Sequence, residues 1–178
     1  MGALWLFLPV LGAPVLRWNL LPGLARPLDG GRSFRGRRIL GDNKTWRGAL
    51  LMTTGIVLAT VALWQWDWWR DELPHAVRTA SPLLVGALIG LGTVGGELPN
   101  SFLKRRLDIA PGSRRRSAGG VALALLDQGD LVLGIWFCLL PVWVMPVWLA
   151  AIAFVAIAAV HAALNVVSYA IGARTAPV

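Results

Sequence analysis

Five apolar runs, each near the ~20 residues needed to cross a hydrocarbon core, leave this chain few folds to adopt. They cover about residues 3–21, 48–66, 82–102, 119–140 and 147–172. Only 15% of the 178 residues are charged and 56% are hydrophobic, whereas a soluble domain is usually about a quarter charged. The expectation is an all-α integral membrane protein: a single transmembrane domain over 1–178 with about five transmembrane helices. Two basic cytoplasmic loops would lie at about 22–47 and 103–118. A signal peptide is the alternative for the first run. It lacks a basic leading region and contains Pro9 and Pro14, which argue against that reading.

The net charge of +8 is unevenly placed. Arg26, Arg32, Arg35, Arg37, Arg38, Lys44 and Arg47 lie between runs one and two. Lys104, Arg105, Arg106, Arg114, Arg115 and Arg116 lie between runs three and four. Segment 67–80 mixes Asp67, Asp71 and Glu72 with Arg70 and Arg78, and 141–146 has no charge. The Lys/Arg bias puts both basic loops and the C-terminus in the cytoplasm and the N-terminus outside, in the cytoplasmic membrane. Trp64, Trp66, Trp68 and Trp69 suit an interfacial belt at the opposite end. Anchoring on anionic lipid explains part of the basic charge. Nucleic acid is a poor partner, because no soluble reading module accompanies the charge. Cys138 has no second cysteine to pair with and suits core filling. Gly86, Gly90, Gly92, Gly95 and Gly96 thin the third run, for packing inside one bundle, for a homodimer, or for ligand space.

Four stretches carry polar content that packing leaves unexplained. Residues 26–48, "RPLDGGRSFRGRRILGDNKTWRG", are long for a connector and rich in Gly, Arg and Lys, which suits phosphate. They run into the start of the second span, where helix N-terminal amides favour an anion, without Walker-loop spacing. In "GELPNSFLKRRLDIAPG", residues 96–112, Glu97, Ser101 and Lys104 share a helical face, and Pro99 predicts a kink. In "LLDQGD", Asp127 and Asp130 share a face inside a membrane span, at a cost of roughly 2.5–3.5 kcal/mol each. Neutralisation by loop arginines, a proton relay and a Mg²⁺ site all fit such a pair. In residues 161–172, "HAALNVVSYAIG", the stripe His161, Asn165, Ser168, Tyr169 suits either interhelical hydrogen bonding or a cavity lining.

These four stretches, in this order and with these spans between them, resemble the CDP-archaeol synthase family, membrane cytidylyltransferases distantly similar to CDP-diacylglycerol synthases. The resembling motifs are "PLDGGRSFRGRRILGDNKTWRG", "SFLKRRLDIAPG", "LLDQGD" and "HAALNVVSYAIGARTAP". Glu97 stands where the family commonly has Asp, and Gly129 where a bulkier residue is common. "PGSRRRSAGG" replaces the Pro-Gly-His-Gly-Gly run of the diacylglycerol branch, which favours the archaeol branch.

The resemblance implies transfer of the cytidylyl group of CTP to a lipid phosphate, giving a CDP-lipid and pyrophosphate for phospholipid synthesis. It implies Asp127 and Asp130 as Mg²⁺ ligands, helped by Glu97, and Lys104 and Arg105 on CTP phosphates or the lipid phosphate. Ser101 would donate a hydrogen bond nearby. Lys44, Thr45 and Arg47 would close over the triphosphate, and Asp29 and Asn43 would read cytosine or ribose. The entering phosphate oxygen is already anionic near neutral pH, so no general base is required. The rival from another class is a small ion- or proton-coupled transporter using the acid pair. It predicts polar residues along a whole pathway, whereas the outer halves of the spans are apolar and show no inverted repeat.

Overall fold

A computed structural model of the chain describes residues 2–16, 20–108 and 118–170, with side chains throughout except at 118–128, 161, 162 and 164–170. Four long helices dominate these residues: α1 (Trp46–Leu63), α4 (Pro82–Arg106), α5 (Ala118–Leu139) and α6 (Val147–Ala170). Two short helices, α2 (Asp67–Asp71) and α3 (His75–Arg78), join α1 to α4, and a two-stranded hairpin, β1 (Ser33–Phe34) and β2 (Arg37–Arg38), sits in the first basic loop.

The first apolar run departs from expectation. It forms a 3-10 helix only over Gly2–Gly12. Eleven residues at about 2.0 Å each reach about 22 Å, so the 3-10 helix itself covers part of the ~30 Å hydrocarbon thickness. Pro9 lies inside the helix and cannot donate a ladder hydrogen bond. Gly12 then crosses α1 at Gly55 so closely that a Cβ on Gly55 would sit 2.3 Å from the Gly12 carbonyl oxygen.

Helix α4 is the centre of the bundle, with α1 on one flank and α5 on the other; α6 packs on α5 and the 3-10 helix on α1. The glycines of the third run are used for this packing within one chain. A Cβ on Gly90 would lie 2.9 Å from the Thr53 Cα of α1, and one on Gly96 would lie 2.3 Å from the Asp130 carbonyl oxygen of α5. Gly95 points away from both, with nothing within 4 Å of an added Cβ. Its carbonyl is the one that the Pro99 ring crowds, and α4 runs unbroken through Pro99.

Buried apolar side chains along α1, α4 and α5 include Ile56, Val85, Ile89, Val132 and Ile135. Leu58, Leu91, Leu133, Phe137 and Val155 point outward and stay exposed. An apolar exterior on long apolar helices is what lipid stabilises, and α1 and α4 are each long and apolar enough to cross a membrane. The tryptophan belt is split. Trp66 and Trp68 are exposed, but Trp69 is fully buried and its Nε1 donates to the Trp5 carbonyl at 3.0 Å. Cys138 is free and half-buried in α5.

Candidate active site at the basic end of the bundle

The first basic loop is a closed structure. Its ends are joined where Leu28 N donates to the Lys44 carbonyl at 2.7 Å and Trp46 N to the Arg26 carbonyl at 3.0 Å. Inside it, the Asp29 carboxylate accepts four hydrogen bonds. Oδ1 takes Gly31 N at 3.0 Å and Arg38 Nη2 at 2.9 Å; Oδ2 takes Leu40 N at 2.9 Å and Gly41 N at 3.3 Å. The hairpin turn puts Arg35 and Gly36 at φ 52° and 74°, the pair of positive values that a tight two-residue hairpin requires.

Asp29, expected to read cytosine or ribose, has its carboxylate turned inward on its own loop. Its side chain is 1% exposed, and a carboxylate has about four acceptor sites, all filled here by the chain itself. Burial alone would raise its pKa. The donors from Leu40, Arg38, Gly31 and Gly41 outweigh that and hold it well below the usual carboxylate range. Arg38 is shifted upward by its hydrogen bonds to Asp29 and Asp42.

The loop is docked onto the last turn of α4. Arg106 Nη2 donates to the carbonyls of Arg37 at 3.0 Å and Arg38 at 2.7 Å, and Nη1 donates to that of Phe34. Arg37 returns a salt bridge to Asp108 at 2.6 Å. Between two and three turns further into the bundle, Lys44 pairs with Glu97 of α4, both half-buried. Between α1 and α4 this leaves a cleft of about 140 Å³ whose rim carries Asn43, Lys44, Thr45 and Glu97 and whose floor includes Met52 and Val94. That volume is below the ~300–1,000 Å³ of a pocket enclosing a whole drug-sized ligand, so the cleft suits part of one.

Thr45 serves as the N-cap of α1, its Oγ accepting from Gly48 N at 3.1 Å. The Trp46 amide is also taken, by Arg26. The expected anion site on free helix amides is thus partly occupied by the chain's own oxygens. Arg105 lies beside the loop, its Nε 3.6 Å from where a Cβ on Gly41 would be. The Nε groups of Arg38, Arg47, Arg105 and Arg106 are buried and have no partner among the described residues; Arg38 and Arg106 use their Nη groups to hold the loop, and buried donors such as those of Arg47 and Arg105 suit an incoming anion. Ser101 and Lys104 are half-buried on α4, one and two turns beyond Glu97.

Of the expected carboxylate trio, Glu97 and Asp130 have described side chains, and they face different flanks of α4. Glu97 faces Lys44 on the α1 flank. Asp130 lies on the α5 flank, 7% exposed, accepting from Asn100 Nδ2 at 3.3 Å. The Asp127 side chain, and those of His161, Asn165, Ser168 and Tyr169, lie outside the described residues, as do Arg114, Arg115 and Arg116. Asn100 is the residue that sequence reasoning missed. A signal was available: it is a buried amide within a membrane-length helix, one position after Pro99 and i+3 from Glu97.

The fold and site are those of a helical bundle with an apolar exterior and a cleft at its basic end, lined by Lys44 and Glu97 among others. A family profile described as CarS-like, CDP-archaeol synthase, matches residues 1–178. A CDP-archaeol synthase of Halobacterium salinarum is 35% identical over 167 residues, covering 89% of this chain and 86% of that protein. One of Thermococcus gammatolerans is 32% identical over 176 residues, covering 98% and 94%. A solved structure described as an intramembrane enzyme for archaeal membrane lipids biosynthesis superposes with a TM-score of 0.65 at 29% identity, over 92% of both chains. The chain belongs to the CDP-archaeol synthase family. Membership makes it a membrane transferase of phospholipid biosynthesis, a CTP-dependent cytidylyltransferase, and does not favour the transporter reading.

Proposed function

We propose that the chain joins CTP to an archaetidic-type ether-lipid phosphate, giving a CDP-lipid and pyrophosphate on the cytoplasmic face of the membrane. The observation that supports this most is the docking of the basic loop on α4, which sets Lys44 and Glu97 over a cleft that opens between two membrane-length helices. A polyphosphate can approach from the loop side and a lipid phosphate from the bilayer side of the same cleft.

In the reaction, a lipid phosphate oxygen forms a bond to the α-phosphorus of CTP as the bond from that phosphorus to the bridging oxygen of pyrophosphate breaks. No proton must be moved first, so the protein's work is positioning and charge neutralisation. Lys44 turns from Glu97 to the triphosphate. Arg47 and Arg105 supply guanidinium donors, and Ser101 and Lys104 hold the phosphates from α4. Asn43 faces the same cleft and orients the nucleoside. The oxygen donors around Asp130, a nearly buried carboxylate beside an amide, are of the hard type that Mg²⁺ takes. Asp130 and Asp127 would hold the ion, with Glu97 in reserve once Lys44 has left it. When bound, Mg²⁺ would neutralise charge on the transferring phosphoryl group. The N-terminus lies outside, and the C-terminus and the site lie in the cytoplasm.

The test is product formation by purified protein with labelled CTP and Mg²⁺, offered an archaetidic-type phosphate and a diacyl phosphatidate side by side. Faster conversion of the ether lipid with release of pyrophosphate is expected. Preference for the diacyl lipid would move the chain to the other branch. Full turnover with chelator in place of Mg²⁺ would remove the metal from the proposal.

A further inference from the structure

The run Lys104-Arg105-Arg106 offers three cations at the end of α4, and phosphate is the obvious partner for all three. The geometry separates them. Arg106 directs its guanidinium at three backbone carbonyls of the hairpin, those of Phe34, Arg37 and Arg38. The same group lies over two aromatic rings, 5.5 Å from the Phe34 centroid and 4.9 Å from that of Phe102. Across the hairpin, Arg38 reaches inward to Asp29 at 2.9 Å, and Asp29 gathers the amides of Gly31, Leu40 and Gly41. The chain from α4 to the cleft rim is thus continuous: Arg106, hairpin backbone, Arg38, Asp29, then residues 40–41 leading into Asn43 and Lys44.

We propose that Arg106 and Asp29 are positioning residues for the nucleotide: they form one frame that fixes the loop on α4 and so sets Lys44 over the cleft. Neither residue touches substrate. A loop that leaves α4 part of the time presents Lys44 to the triphosphate only in the docked fraction, and apparent affinity falls by that fraction. The frame removes that freedom before CTP arrives. The proposal rests on the reading that this loop closes over the triphosphate.

The decisive variant is Arg106→Lys. A lysine keeps the charge that a phosphate ligand needs but loses the planar fork that serves several carbonyls and stacks on rings. Asp29→Asn, at the other end of the frame, keeps the side-chain volume and loses half of the acceptor capacity. Amide hydrogen exchange on the full-length protein in nanodiscs, without CTP, reads loop order directly. Both variants are expected to speed exchange at Ile39, Leu40 and Gly41 by about tenfold and to raise the KM for CTP by about as much, with kcat changing less. The KM for the lipid phosphate should move least. Exchange in Arg106→Lys equal to that of the parent protein would overturn the proposal, whatever the kinetics. Exchange that quickens in both variants while the CTP KM stays fixed would uphold the frame and remove CTP from the loop, so the two readings fail separately.

Discussion

The two ends of the bundle use the same residue types for different ends, and burial makes the difference. At the tryptophan end, Arg70 pairs with Asp67 and Arg78 with Asp71, but the acids are 77% and 66% exposed. Pairs so open to water contribute about 0–1 kcal/mol. What holds that end is apolar: Leu6, Trp69 and Val77 are fully buried, and the buried Trp69 indole N–H is satisfied by the Trp5 carbonyl. At the basic end, Asp29 is buried under Arg38, and Lys44 and Glu97 are half-buried against each other. A charge left there without its partner is costly. The tryptophan end is built to close the bundle. The basic end holds charges that an incoming polyphosphate can re-pair.

Trp69→Ala tests the closing role and carries the largest expected effect. Emptying so large a buried site should cost about 3–5 kcal/mol, read as a lower unfolding temperature in detergent, with the KM for CTP unchanged. A raised KM would mean that the two ends are coupled. Asp130→Asn tests the other end. The amide can still accept from Asn100 through its oxygen, so the unfolding temperature should hold within a few degrees. CDP-lipid formation should drop roughly a hundredfold, about 2.7 kcal/mol in the barrier. Full Mg²⁺-dependent turnover in this variant would remove Asp130 from the reaction.

The smallest expected effect is that of pH on the loop. Asp29 has a folded pKa below its unfolded value, so its contribution to stability is fully present above the unfolded value, about 3.9. It is lost only as pH falls through the depressed folded value. Protection of Leu40 and Gly41 from exchange, corrected for the intrinsic pH dependence of amide exchange, should therefore be the same at pH 7 and pH 5. A loss of protection by pH 5 would mean that another group carries the loop.

Apolar run length is a local property, and it was enough to read the long helices α1, α4, α5 and α6 from the sequence. It did not give the helix type of the first run, where Pro9 and the crossing at Gly55 accompany a 3-10 helix that ends at Gly12. The ordering of polar motifs was equally local, and it was enough to point to the family. Pairing among the charges was not legible. Glu97 and Asp130 are both acids within long apolar helices, yet one meets Lys44 of the basic loop and the other, on α5, meets Asn100 of α4. Asp29 suggested a reader of cytosine or ribose and Arg106 carried no separate role, because spacing along the chain holds no record of which donors and acceptors will reach them.

The sequence by itself determined a helical membrane protein with most of its cations in two loops, because the bilayer dictates segment length and charge bias and both are written residue by residue. The tertiary structure decided which of those charges face the cleft and which hold its walls. Hydrogen bonds form between segments as far apart as Arg38 and Arg106, and only packed helices bring such groups within reach of one another.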